Sequence, residues 1–332
     1  MGDPAGIGIE ITLRAWHARH ARSLPAFAFY ADPDAVADQC GALGLPTPTV
    51  IVSTPEEAHR AFATALPLLP VRVAAPVTSG RPDAANAPAV IGAIETAVAD
   101  ARGGRVAGIV TNPIAKSVLK QAGFPHPGHT ELLGALSARL WPDHESHAVM
   151  MLAAPELRVV PLTVHIPLAD VPRAITTELL ERTTRTLWRA LRDDFGLAHP
   201  RIVVAGLNPH AGENGTMGLE EQQLIAPGIA RLAAEGLDVT GPYPADTLFY
   251  AARRARYDAA LCMYHDQALI PLKTLAFDTG VNVTLGLAFV RTSPDHGTAF
   301  DIAGRGIASP ESLIASIELA ARIAAQRARG AR

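Results

Sequence analysis

Short apolar runs closed by turn residues alternate with helical segments from end to end of this chain, and no other feature restricts its fold as much. Ala26-Phe27-Ala28-Phe29-Tyr30, Thr49-Val50-Ile51-Val52 and Val106-Ala107-Gly108-Ile109-Val110 have the length and apolar content of strands. Apolar residues fall at helical spacing over 88–101, at Val90, Ile91, Ile94 and Val98. Long amphipathic helices are predicted over 177–191, 218–234 and 310–328. Such alternation predicts an α/β fold with a mostly parallel sheet and helices on both faces. The Pro- and Gly-rich stretches 80–88 and 125–128 are the best places for connections between lobes.

Three of the apolar runs lead into a histidine. The run 159–164 precedes His165, 201–209 precedes His210, and 259–264 precedes His265. In open α/β sheets ligands bind outside the carboxyl ends of the strands, and histidine is the commonest metal ligand. One histidine at a strand end is more often a polar turn or core residue. Three in the same context make a joint metal site an equal contender.

Composition narrows the function classes. With 332 residues, 48% of them hydrophobic, the chain can bury one large or two medium cores. A net charge of −3 with no basic tract weighs against nucleic acid or an anionic membrane as the main partner. No apolar run reaches membrane-spanning length, and the first residues lack the basic-then-apolar pattern of a signal peptide. Cys40 and Cys262 are too few and too far apart for a disulfide framework or a thiolate metal site. A soluble cytoplasmic enzyme fits, as would a binding protein.

Further polar clusters stand at predicted strand ends. Gly2-Asp3-Pro4-Ala5-Gly6-Ile7-Gly8 is a glycine-rich turn running into a helix over 11–22, either an anion cradle or a plain helix entry. Its spacing is not that of the dinucleotide fingerprint. Thr111-Asn112-Pro113-Ile114-Ala115-Lys116 follows a strand and starts a helix. Pro127-Gly128-His129-Thr130-Glu131 puts His129 and Thr130 at the head of the next helix. Thr130 is either an N-cap or, beside His129, a donor to phosphate or carboxylate. Asp246 is either a helix-start acid or a site carboxylate. Asp266 either orients His265 or, as adjacent residues often do, points away from it, and Lys273 follows on the same segment. Asn282 and Arg291 fall on short strands over 281–284 and 287–291. Arg291 closes a run too apolar for a solvated surface residue, and its fork suits carboxylate or phosphate. The loop 295–306, with His296, Gly297 and Asp301, either holds an adenosine or caps a helix.

Taken together these motifs resemble the PdxA family, the 4-hydroxythreonine-4-phosphate dehydrogenases of vitamin B6 biosynthesis. The resemblance is carried by Met1-Gly2-Asp3-Pro4-Ala5-Gly6-Ile7-Gly8, Pro127-Gly128-His129-Thr130-Glu131, Leu207-Asn208-Pro209-His210-Ala211-Gly212-Glu213, Pro244-Ala245-Asp246-Thr247, Met263-Tyr264-His265-Asp266-Gln267 and 291–306. It implies a two-lobed fold like isocitrate and isopropylmalate dehydrogenases, with a cofactor-side lobe of 1–128 plus 292–332 and a metal, substrate and dimerisation lobe of 129–291. The implied reaction is NAD(P)-dependent oxidation of 4-phosphooxy-L-threonine at C3, followed by loss of carbon dioxide.

His165, His210 and His265 match the family's divalent-metal ligands, with zinc, cobalt or magnesium as the ion. His129, Thr130, Lys273, Asn282 and Arg291 match its substrate-binding positions, and His296, Gly297 and Asp301 fall in its adenine-side loop. Lys273 and Asp246 are the two candidates for the proton acceptor. The family works as a homodimer with a site assembled from both subunits. Two departures stand out: the family has a first strand ahead of the Gly-Asp-Pro-Ala-Gly turn, whereas Met1 here is already in that turn, so either the sequence starts late or an edge strand is missing; and Ile9 replaces a common proline. A dehydrogenase of a 4-phosphorylated threonate or erythronate is the nearest alternative. A metal-dependent hydrolase or lyase, needing no cofactor loop, is more distant.

Overall fold

The computed structural model describes residues 1–126 and 128–330. Pro127 of the Pro-Gly-His-Thr-Glu motif lies outside the described residues. The chain divides into two compact units, one of Met1–His144 with Ala288–Ala324, the other of Glu145–Leu287 with the chain from Ala325 on. Among the described residues there are eleven strands: β1 (Phe29–Ala31), β2 (Thr49–Ile51), β3 (Leu66–Pro70), β4 (Ile109–Val110), β5 (Val149–Ala154), β6 (Leu157–Pro161), β7 (Arg201–Ala205), β8 (Asp238–Tyr243), β9 (Ala259–Cys262), β10 (Val281–Leu285) and β11 (Arg291–Pro294).

The first unit holds a parallel sheet of order β1-β3-β2. Its central strand was not among the predicted ones. Pro67 and Pro70 sit opposite Val50 and Ala31, and proline is rare inside a central strand because it cannot donate to the ladder. Leu66 and Leu68 are nonetheless fully buried, packing with Ile9, Leu13 and Trp16 of the helix Gly8–Ala18. Side chains of this size each contribute about 1.5–3 kcal/mol on burial. The helix begins three residues earlier than expected, at Gly8 rather than residue 11. The glycines of the opening turn approach the chain's own backbone: a Cβ on Gly2 would lie 2.6 Å from the Pro113 carbonyl oxygen, and one on Gly6 2.9 Å from that of Thr298.

The second unit holds strands in the order β10-β5-β6-β9-β7-β8. β6, β9, β7 and β8 are parallel neighbours, whereas β5 runs antiparallel to both β6 and β10. The sheet is therefore mostly, not wholly, parallel. The expected helix over 177–191 is present as Thr177–Asp193, with Leu180, Leu187 and Leu191 buried. The helix expected over 218–234 divides into a π-turn, Glu221–Ile225, and an α-helix, Ala226–Ala234, with a proline in its first turn. Helices Ala87–Arg102 and Glu311–Gly330 match the expected spans within two residues. No helix among the described residues is long and apolar enough to cross a membrane.

Candidate active site

The register of the second unit aligns the carboxyl ends of three adjacent strands. Pro161 of β6 pairs with Cys262 of β9, and Val204 of β7 pairs with Leu261 of β9. His165, His265 and His210 follow these strands within five residues, so all three leave the same rim. The rings of His165 and His265 lie 5.7 Å apart between centroids. Nδ1 of His265 is 2.7 Å from Oδ1 of Asp266. With that carboxylate ionised, Nδ1 donates and Nε2 keeps its lone pair, an arrangement that commonly accompanies metal-ligating histidines. The neighbours do not point apart here. The donor chemistry fits a divalent cation, although among the described residues no group of three His, Cys, Asp or Glu is gathered closely enough to hold a metal. Within one chain, then, His165 and His265 meet and His210 does not complete a trio with them.

His210 stands in an unusual turn. Five successive residues, His210 to Asn214, have φ values of 53°, 51°, 77°, 39° and 56°. This is one left-handed turn, and each non-glycine residue in it costs about 1–2 kcal/mol. The segment before it is anchored: Glu221, 3% exposed, accepts from the N–H groups of Leu207 and Asn208, both at 2.8 Å, and from Asn208 Nδ2 at 3.0 Å. Two further bonds join the loops after β6, β9 and β7. Thr163 Oγ1 donates to the Met263 carbonyl at 2.8 Å, and Gln267 Nε2 donates to the Gly206 carbonyl at 2.8 Å.

Lys273 lies on the helix His265–Ala276, its Nζ 5.7 Å from the Phe277 ring centre. Asp246 is an exposed acid in the first turn of a short 3-10 helix, Ala245–Thr247, whose N-cap position is Pro244. Asn282 is the second residue of β10, level with Leu152 of β5, and its Oδ1 is buried with no hydrogen-bond partner. The unmet acceptor is costly in the free protein.

The first unit gathers cationic groups. Arg291 was expected at the end of a strand; it opens β11, paired with Ile109 of β4. It is buried as expected, 3% exposed, and donates from Nε and Nη2 to Thr111 Oγ1 at 3.2 and 2.6 Å. Burial pushes its pKa down to about 10. His129 opens the helix His129–Leu140, whose far end is held where Arg102 Nε donates to the Leu140 carbonyl at 2.9 Å. Burial first, then the charges of Arg291, Lys116 and the chain's amino terminus, hold the His129 imidazole well below its ordinary pKa. It is neutral, and its buried Nε2 has no hydrogen-bond partner. Thr130 follows it, half-buried.

Lys116 was read only as part of a helix start, yet it borders this cluster. Its Cε would lie 3.1 Å from a Cβ on Gly128, the residue before His129. The loop with His296, Gly297 and Asp301 does not cap the final helix; that helix begins later, at Glu311. His296 Nδ1 is 3.0 Å from the Gly297 carbonyl oxygen, its Nε2 is buried without a partner, and Gly297 and Asp301 are exposed.

Fold and residues together define an α/β protein with imidazoles at the rim of one unit and, in the other, a buried arginine and a lysine beside a neutral imidazole. Residues 23–320 match the family model described as pyridoxal phosphate biosynthetic protein PdxA. The chain is 54% identical over 326 residues to the 4-hydroxythreonine-4-phosphate dehydrogenase of Methylorubrum extorquens, covering 98% of this chain and 93% of that one. The protein of the same name from Xanthobacter autotrophicus is 52% identical over 330 residues, covering 99% and 93%. The crystal structure of 4-hydroxythreonine-4-phosphate dehydrogenase from Klebsiella pneumoniae superposes with a TM-score of 0.82 at 37% identity, covering 98% of this chain and 96% of that one. This chain belongs to the PdxA family.

Proposed function

We propose that this protein is an NAD(P)-dependent 4-hydroxythreonine-4-phosphate dehydrogenase of pyridoxal phosphate biosynthesis. It oxidises the C3 hydroxyl of 4-phosphooxy-L-threonine to 2-amino-3-oxo-4-phosphooxybutanoate. That β-keto acid loses carbon dioxide to give 3-amino-2-oxopropyl phosphate. The carrying observation is the near-full-length likeness to relatives of that name, in a chain whose three candidate ligand histidines follow three adjacent parallel strands.

On this reading His165, His210 and His265 hold a divalent cation, zinc, cobalt or magnesium. When bound, the cation supplies Lewis acidity at the substrate oxygen, and the nicotinamide supplies the hydride acceptor. The chain's own residues do the rest. Arg291, still cationic at neutral pH, and Lys116 hold anionic groups of the substrate. Neutral His129 and the Thr130 hydroxyl add hydrogen bonds to those groups. Asn282 offers a buried acceptor that a substrate donor satisfies. Lys273 or Asp246 takes the proton from the C3 hydroxyl. His296, Gly297 and Asp301 lie against the adenosine end of the cofactor.

The protein acts as a cytoplasmic homodimer whose site draws on both copies, needing neither nucleic acid nor membrane. Large apolar side chains exposed on the second unit support self-association: Leu168 at 68%, Ile270 at 64% and Phe277 at 75%. The test is to follow NADH or NADPH formation with 4-phosphooxy-threonine, the cofactor and each added metal, beside the 4-phosphorylated threonate. Reduction with the amino substrate is expected. Turnover of the threonate alone would move the substrate assignment, and no reduction with either would overturn the reading.

A further inference from the structure

The left-handed turn that presents His210 is tied at its base by one buried carboxylate. We infer that Glu221 is a positioning residue for His210, an inference that rests on the reading of His210 as a metal ligand. Glu221 acts through backbone. Its Oε1 takes the N–H groups of Leu207 and Asn208, the residues leading into the turn, and its Oε2 takes the Asn208 side-chain amide. The same oxygen closes the turn from the other side, since a Cβ on Gly212 would lie 2.6 Å from it.

A buried carboxylate is costly unless its oxygens are occupied by donors. Its donors here all come from 207–208, so the bonds that offset its burial also hold the entry to the turn. Glu221 opens a π-turn, a rare element that recurs at functional sites. Gln267 extends the frame. Its Oε1 accepts from the Met263 N–H at 2.6 Å and its Nε2 donates to Gly206, so the segments before His265 and His210 share one side chain. Left-handed backbone at four non-glycine residues persists only when surrounding structure over-determines it. Glu221 is the group placed to do so.

The experiment compares full-length wild-type protein with Glu221→Ala and Glu221→Gln. Metal-free protein is titrated with Co²⁺ alone, followed by the visible absorption of the bound ion, and hydrogen exchange is measured over 207–214. Glu221→Ala is expected to bind Co²⁺ 10- to 100-fold more weakly, as other residues that support metal ligands do, with an altered spectrum. Exchange at 207–214 should accelerate at least ~10-fold while the strands β6 and β9 keep their protection. In turnover, kcat should fall with the KM for NAD(P) unchanged. Wild-type Co²⁺ affinity and spectrum in Glu221→Ala, or unchanged exchange over 207–214, would overturn the inference. Should the alanine variant not fold, Glu221→Gln, which keeps one acceptor oxygen, decides by the same measurements. A wild-type protein that binds no Co²⁺ would instead sink the metal reading of His210, and the exchange comparison would still judge the tie between Glu221 and the turn.

Discussion

Replacing Arg291 with alanine tests the proposed anion site most directly. Its guanidinium is buried and donates from Nε and Nη2 to Thr111 Oγ1, which orients the fork. With its pKa lowered by burial to about 10, it stays cationic between about pH 7 and 9. Truncating one partner of a buried, hydrogen-bonded charge pair costs about 2–5 kcal/mol. At about 1.4 kcal/mol per decade, that is a loss of roughly 30- to 4,000-fold in kcat/KM for 4-phosphooxy-threonine. Lys116 borders the same cluster and supplies part of the lost attraction, so the lower half of that range is expected.

The assay varies substrate at saturating NAD(P), then cofactor at saturating substrate. The NAD(P) KM should move by no more than about 3-fold, under 1 kcal/mol. Thr111→Val, which removes the orienting acceptor and leaves the charge, should cost about 1 kcal/mol, roughly 5-fold. Repeating the series with unphosphorylated 4-hydroxythreonine identifies the anion held: the Arg291→Ala penalty vanishes if it is the phosphate and persists if it is the carboxylate. Equal losses for substrate and cofactor, or a substrate loss below about 5-fold, would refute the role.

Three further outcomes are expected. His210→Ala should stay folded by circular dichroism yet lose bound metal and most turnover, and full activity of this variant after chelator treatment would contradict the ligand role. His129 titrates in the unfolded chain near its ordinary pKa of about 6.5 but well below it when folded. As pH falls below about 6.5 the unfolded state takes up the proton first, so stability is present above that pH and is lost toward acid, by at most about 1.4 kcal/mol per pH unit. His129→Gln should flatten the urea-unfolding midpoint between about pH 6.5 and 5, and an unchanged slope would count against the neutral, buried imidazole. Gly212→Ala places a Cβ 2.6 Å from the Glu221 carboxylate at a φ of +77°; a loss of about 1–3 kcal/mol in denaturant unfolding is expected, and an unchanged midpoint would show that the turn can rearrange freely.

The fold class was legible because helix spacing and apolar runs are local signals. Ala87–Arg102 and Thr177–Asp193 have buried stripes that the sequence displays openly. What escaped detection was hidden by chemistry that contradicts its context. β3 carries two prolines in a central position. β8 contains Gly241-Pro242 at the sheet's edge, where proline is tolerated but no strand signal remains. The helix expected over 218–234 was read through a π-turn because apolar spacing does not register one extra residue per turn.

The site divides along the same line. Which side chains carry the chemistry was readable, because a histidine directly after an apolar run falls three to five residues past the strand's end and needs only that end to be placed. How those side chains are aimed was not. The pairing of His265 with Asp266 depends on a rotamer, and the turn at His210 depends on non-glycine residues adopting backbone angles that their sequence disfavours. Glu221 stands eleven residues beyond His210 and reads as one more polar helix residue, so nothing local marks it as the group that fixes the turn. Contacts of this kind arise only after β7 and the π-turn have packed together. A sequence therefore names reactive groups more readily than the buried partners that aim them, and the mutations most informative about this enzyme lie among those partners.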